Sequence, residues 1–147
     1  MAPRWNEDMR GAFTGLAMNH DGSHLARAVL EGCAFALRDI VDRLDALGVG
    51  GEVRVVGGGA RSRLWMEIKA GVLGRPVRAV LAQEATAAGA AFLAGTAAGT
   101  FSDLDDAVAR AVEVAPATVD PDPQTRERYD EAYARYRGLF DAVEGCT

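Results

Sequence analysis

Cysteine is nearly absent: the 147 residues contain two, Cys33 and Cys146. Neither sits in a CxxC pair, so a zinc ribbon, a redox dithiol and a disulfide framework all lack their raw material. Histidine is equally scarce. His20 and His24 are four apart, but the turn-like stretch MNHDGS separates them. No carboxylate completes a metal set around them, and they read as surface or capping residues. A basic excess is also missing. Sixteen Lys and Arg stand against 21 Asp and Glu, a net charge of −5, which excludes an electrostatic footprint for nucleic acid. The cations are scattered among acids, which argues against an anionic membrane surface as partner. No apolar run is long enough to span a bilayer, because charges interrupt every stretch. Residues 1–10 lack the apolar core of a signal peptide. These absences lead to the expectation of a cytoplasmic protein.

What is present is an ordinary globular composition, 49% hydrophobic and 25% charged, in a chain long enough for one domain with a core. Residues 12–16 are expected as a short strand, and Ser23 as the cap of a long helix. From His24 to Leu47, the residues Leu25, Val29, Cys33, Ala36, Ile40, Leu44 and Leu47 recur every three or four positions. That spacing predicts one buried helical face, with Cys33 as a small core residue on it. Gly48 suits the helix end. Glu52 to Val56 alternates and is rich in valine, a strand pattern. A helix is predicted over 63–73, ended by Gly74 and Pro76. A strand follows over 75–81, then a helix over 84–98. A further helix begins at Ser102, with Asp105 in a capping-box place. A proline-rich linker, 116–123, leads to a last helix striped by Tyr129, Ala132, Tyr133, Tyr136, Leu139, Phe140 and Val143.

This order predicts an α/β fold with a crossover between the second and third strands. Three short strands are few for so many helices, and parallel sheets normally have more. The sheet is therefore expected to be incomplete, with an edge open to a partner or to a homodimer.

The chemistry-bearing feature is the stretch Gly57-Gly58-Gly59-Ala60-Arg61-Ser62, which follows the second strand and opens a helix. Strand, glycine turn and helix N-terminus together form a common anion-binding arrangement. Glycine admits a ligand to the backbone, and the first helical turn has unpaired N–H groups. A tight connection without any ligand gives the same pattern. The phosphate loop GxxxxGK[ST] is absent, since no Lys follows these glycines, and the dinucleotide fingerprint GxGxxG fails at Ser62. A second cluster, Glu84 to Ala94 (EATAAGAAFLA), gives one helix a nearly flat side around Gly89. Close helix packing explains most of it, and Glu84 at the helix start needs no role beyond complementing the dipole. Asp8 and Asp21 are isolated carboxylates and poor general-base candidates.

Taken in order, these motifs resemble the FGGY carbohydrate kinases. The resemblance begins with Gly11-Ala-Phe13-Thr-Gly15-Leu16 and, after a seven-residue gap, His24-Leu25-Ala-Arg-Ala28-Val29-Leu30-Glu31. It continues through the glycine turn, Trp65, Leu73-Gly74-Arg75-Pro76-Val77 and Glu84 to Ala94, and covers about residues 6–140. Within the family the wording is most similar to xylulokinases. The resemblance implies a ribonuclease H-like, actin-like ATPase fold, of which residues 1–147 form a partial C-terminal lobe: a small sheet flanked by helices. It implies ATP as cofactor, with Mg²⁺ carried by the nucleotide and no metal ligands in this chain. Gly58, Gly59 and Ala60 would lie against the adenosine and α-phosphate side, with Ser62 near the base and the flat helix beside the turn; Gly57 completes the cofactor-binding set. Ala70-Gly71 departs from the Ala-Asp common among relatives. The family's catalytic aspartate, sugar site and first phosphate loop have no counterpart in these residues. The resemblance thus implies the C-terminal part of an ATP-dependent kinase that phosphorylates a sugar hydroxyl, with D-xylulose as the expected substrate, while the chain alone is expected to phosphorylate no sugar. A non-catalytic interaction module is the alternative.

Overall fold

The computed structural model describes Glu7, residues 10–81 and residues 84–144. Cys146 and Asp8 lie outside the described residues, as does most of the stretch 1–9. The chain divides into two compact units, one of Met1–Gly51, Glu67–Arg75 and Asp120–Thr147, the other of Glu52–Met66 and Pro76–Val119.

The first unit is built on helix α1, Gly22–Ala46. Its cap is Asp21 rather than Ser23. The Asp21 carboxylate accepts from the backbone N–H of Ser23 at 3.0 Å and of His24 at 3.2 Å. His24 returns the contact, its Nδ1 accepting from the Asp21 N–H at 3.3 Å, which closes a capping box with histidine in the usual Glu position. These hydrogen bonds, led by that from the Ser23 hydroxyl, hold the Asp21 carboxyl well below the usual carboxylate range. Gly48, at φ 75°, ends the helix as its position suggests.

The expected strand over 12–16 does not form: residues 10–17 have no regular structure apart from a bend at Gly15. No described strand lies beside it to take its backbone hydrogen bonds, and a lone strand has no ladder.

Of the predicted stripe on α1, Ala36 is buried and Leu25 and Ile40 are half-buried, but the buried face is rotated away from its other members. Val29 is 52% exposed, Leu47 77% exposed, and Cys33 is exposed. The core of this unit instead joins Ala34 and Phe35 of α1, Ile68 and Val72 of α2 (Arg63–Leu73) and Tyr129 and Tyr133 of α5 (Arg126–Glu144), with Leu30, Ala132 and Tyr136 at its margin. α1 is apolar on two adjacent faces, so periodicity alone finds both and cannot say which one meets α5.

Phe35 lies at the centre of this aromatic cluster. Its ring centroid is 6.4 Å from Tyr129 in an edge contact and 5.5 Å from Tyr136. Arg38 binds Asp130 at 2.7 Å and lies over the Tyr133 ring at 4.3 Å. Burial, joined by nearby Asp39 and Asp42, pushes the Tyr133 phenol up to about 12. The short 3-10 turn Pro123–Thr125 opens α5, with Pro123 in its first position and Asp122 as cap.

The second unit holds the sheet. β1 (Val53–Val55) and β2 (Val77–Ala79) pair in parallel, with Val53 opposite Val77 and Val55 opposite Ala79. The other edge of β2 is taken by the stretch read as a proline-rich linker. Val77 and Val119 exchange backbone hydrogen bonds of 3.0 and 2.8 Å, and Val80 bridges to Val114. Proline 116 sits between these two bridges and interrupts the ladder, which hides the stretch from a strand pattern. Helix α3, Ala85–Ala97, and helix α4, Leu104–Ala111, complete the unit. The cap of α4 is Asp103, accepting from Asp106 N–H at 2.8 Å, one residue later than Ser102. A Cβ on Gly89 would meet nothing within 4 Å, so the close packing expected there is not realised among the described residues. The close approach is at Gly95, where a Cβ would lie 2.7 Å from the Phe101 ring.

Candidate functional site

β1 delivers the chain to Gly57, which has φ 75° and ψ −162°. That conformation is open to glycine and strained for a residue with a Cβ. The left-handed requirement thus rests on Gly57; Gly58 lies outside the positive-φ region. Gly58–Ala60 then form one 3-10 turn, in which Ala60 N–H donates to Gly57 O at 3.0 Å and Arg61 N–H to Gly58 O at 3.2 Å. The N–H groups of Gly58 and Gly59 stand at the start of this turn, where a helical turn offers no internal acceptor. A Cβ built on Gly58 meets nothing within 4 Å among the described residues, so the turn is open beside it.

Ser62 has a structural task in the same turn. Its hydroxyl accepts from Trp65 N–H at 3.3 Å and its carbonyl from Met66 N–H at 3.0 Å, which makes it the N-cap of α2. Gly57, Gly58, Gly59, Ala60 and Ser62 are therefore brought together in one strand–turn–helix connection. A helix N-terminus behind an open glycine surface suits an anion such as phosphate. The exposed Arg61 adds one cation beside the turn. Among the described residues no group of three His, Cys, Asp or Glu side chains could hold a metal ion.

A separate concavity of about 210 Å³ lies in the first unit, at the start of α1. Phe13, Leu16, Leu25 and Ala28 line it with His20, His24, Arg27 and Glu31. Its charged and imidazole groups are already engaged. Arg27 donates to Glu31 at 2.8 Å and to the Tyr129 hydroxyl at 3.1 Å, while His24 belongs to the helix cap. His20 and His24 do approach each other, with ring centroids 5.1 Å apart, and His20 Nδ1 accepts from Ala17 N–H at 3.1 Å. This places both as capping and turn residues, as their sequence context suggests.

The model of the FGGY family of carbohydrate kinases, C-terminal domain, matches residues 1–98. The chain belongs to the FGGY family of carbohydrate kinases. The match includes the whole glycine turn. Among relatives, glycerol kinase 3 of Streptomyces avermitilis is 45% identical over 107 residues, which is 71% of this chain and 21% of that protein. The glycerol kinase of Clavibacter michiganensis is 42% identical over 129 residues, 86% of this chain and 26% of that protein. Among solved structures, the xylulose kinase of Rhodospirillum rubrum superposes with a TM-score of 0.75 at 37% identity, over 91% of this chain and 27% of that one. A glycerol kinase of Plasmodium falciparum with ADP superposes at 0.68 with 28% identity, over 94% of this chain and 28% of that one. This FGGY chain spans about a fifth to a quarter of the length of the curated relatives it matches. Its likeness to these kinases places the small sheet and its helices in an actin-like ATPase fold, as a partial C-terminal domain. The kinase relatives of both kinds leave a specific likeness to xylulokinases unsupported.

Proposed function

We propose that this chain supplies the adenosine and α-phosphate side of the ATP site in an ATP-dependent carbohydrate kinase, a phosphotransferase to an alcohol. The observation that carries this reading is the Gly57–Ser62 connection: a strand ending in a left-handed glycine, a turn with open space beside Gly58 among the described residues, and a capped helix start. In this reading Gly57 sets the direction of the turn, and Gly58 and Gly59 present backbone N–H groups to phosphate. Ala60 keeps the surface low, and Ser62 fixes the start of α2. ATP brings Mg²⁺ with it, and the metal neutralises charge on the phosphates. The ADP in the solved Plasmodium relative supports a nucleotide as the ligand.

Phosphoryl transfer consists mainly of positioning and charge stabilisation around in-line groups. We assign none of these residues as a base or a sugar contact, so the acceptor is bound elsewhere in the kinase. The acceptor class is a small polyol or sugar. Glycerol and D-xylulose are the two to test first, since glycerol kinases reach 45% identity and xylulose kinases 37%. The reading makes the protein a cytoplasmic metabolic kinase component. Among the described residues no helix is long and apolar enough to cross a membrane.

Photolabelling with 8-azido-ATP, mapped by mass spectrometry of the digested chain, tests the proposal. Label concentrated between residues 57 and 65 and displaced by unlabelled ATP is the expected result. Label spread over the surface, or not displaced by ATP, counts against a nucleotide site. Sugar-dependent ADP release by the chain alone would contradict the assignment of the sugar site elsewhere.

A further inference from the structure

We infer that Arg61 is a phosphate-binding residue of the nucleotide site: its guanidinium closes over the glycine turn and holds the α-phosphate, so that the turn selects nucleotides over nucleosides. The inference rests on the nucleotide reading above for the identity of the ligand, and on the turn's own geometry for the direction of the side chain.

The start of α2 breaks an electrostatic rule. The N-terminal end of a helix carries partial positive charge and favours acidic side chains. α2 has no acidic residue in its first turn. Arginines stand on either side of its cap instead, Arg61 before Ser62 and Arg63 after it. A cation in that place is not stabilised by the helix. Real proteins break local rules of this kind at functional sites. An anion seated on the turn would offset the excess positive potential.

Arg61 is also free to take one. Three other arginines of the same unit are committed. Arg54 binds Glu52 at 2.8 Å, and Arg78 binds Glu52 and the carbonyls of Ala115 and Pro116. Arg110 reaches Asp106 at 3.4 Å and lies 5.0 Å from the centre of the Phe101 ring. Arg61 is exposed, and among the described residues its side chain makes no hydrogen bond, ion pair or ring contact.

The turn aims it. Arg61 has helical φ −82° and ψ −22°, and its N–H donates to Gly58 O at 3.2 Å, so it stands one turn after Gly58. Residues three apart eclipse in a 3-10 turn. Helical Cα–Cβ bonds tilt toward the N-terminus. The Arg61 side chain therefore starts on the face where Gly58 has none, and leans back toward it. A Cβ on Gly58 meets nothing within 4 Å among the described residues, so that face is open. At roughly 2 Å of rise per residue the two positions lie about 6 Å apart along the turn, a gap that the arginine stem spans. A phosphate accepting from the N–H groups of Gly58 and Gly59 would meet the paired guanidinium donors on its outer side, a bidentate match.

The test is calorimetric titration of adenosine, AMP and ATP into the original chain, Arg61→Gln and Arg61→Lys. Arg61→Gln is expected to weaken AMP and ATP roughly tenfold, the effect of losing one hydrogen-bonded charge, and to leave adenosine unchanged. Arg61→Lys keeps the charge without the planar fork and is expected to recover only part of the loss. In the original chain the Arg61 Nε–H resonance is expected to move on addition of AMP and to stay in place with adenosine, which tests the contact without any substitution. Equal AMP affinity in the original and Arg61→Gln, or an equal loss for adenosine and AMP, overturns the inference and leaves the nucleotide reading standing. A loss for ATP with none for AMP puts the contact on a later phosphate and overturns the α-phosphate assignment. Binding of none of the three by the original chain overturns the nucleotide reading and this inference with it.

Discussion

Gly71 sits in the buried part of α2, where a Cβ would lie 2.7 Å from Tyr129 Cε2 and 3.1 Å from Cδ2. Two opposed effects meet at this position. Alanine in place of glycine in a helix interior stabilises by about 1 kcal/mol. Overpacking a fixed core costs about 1–3 kcal/mol. The ring has little room to yield, because it is only 4% exposed and stands edge-on to Phe35. Its hydroxyl is tied to Arg27 at 3.1 Å and to Glu31 at 3.3 Å. The clash therefore wins, and Gly71→Ala is expected to destabilise by about 1 kcal/mol, or roughly 2–4 °C in Tm for a chain of this size. In a Tyr129→Ala background the ring is gone and the same substitution is expected to stabilise by about 1 kcal/mol, a coupling of about 2 kcal/mol. Urea unfolding of the four proteins, followed by circular dichroism, measures both values. Stabilisation by Gly71→Ala in the unsubstituted protein would refute the placement of Tyr129 against α2.

Helix α3 offers a paired comparison: Gly89→Ala, in open space, is expected to raise stability by about 0.5–1 kcal/mol, whereas Gly95→Ala, whose Cβ meets Phe101 at 2.7 Å, is expected to lower it; thermal melts of the two check the contrast. The Tyr133 phenol gives a pH dependence. Its folded value, about 12, lies above the ordinary value of 10, so the unfolded chain loses this proton first. Stability is then fully present below pH 10 and falls as pH rises toward 12. Tyr133→Phe is expected to flatten that fall in a pH series of urea titrations, and an unchanged slope would contradict it.

The first two helices were legible because each has a sharp punctuation mark. Gly48 and Gly74 stop α1 and α2, and both adopt positive φ. Tyr129, Tyr133 and Tyr136 mark the inner side of α5 because their spacing has no competing apolar stripe. α1 was harder, since two apolar stripes run side by side and tertiary contact selects between them. The 114–119 segment was invisible for a different reason: it joins the sheet through two isolated bridges around a proline, and its pairing is non-local. At the candidate site the turn itself was legible from Gly57 to Ser62. The division of labour within it was not. The left-handed conformation belongs to Gly57, and Ser62 caps α2 through Trp65 N–H, a division set by the fold around the turn.

Calorimetric titration of ATP into the original chain, Gly58→Val and Arg110→Ala tests the nucleotide role of the turn most directly. Gly58 is well placed for it, because a Cβ there meets nothing within 4 Å among the described residues and projects into the space proposed for the ligand. Weak ATP binding by the original chain and by Arg110→Ala is expected, with none by a Gly58→Val protein whose circular dichroism is unchanged. ATP bound as well by folded Gly58→Val as by the original would contradict the account and leave the turn as a connection between β1 and α2.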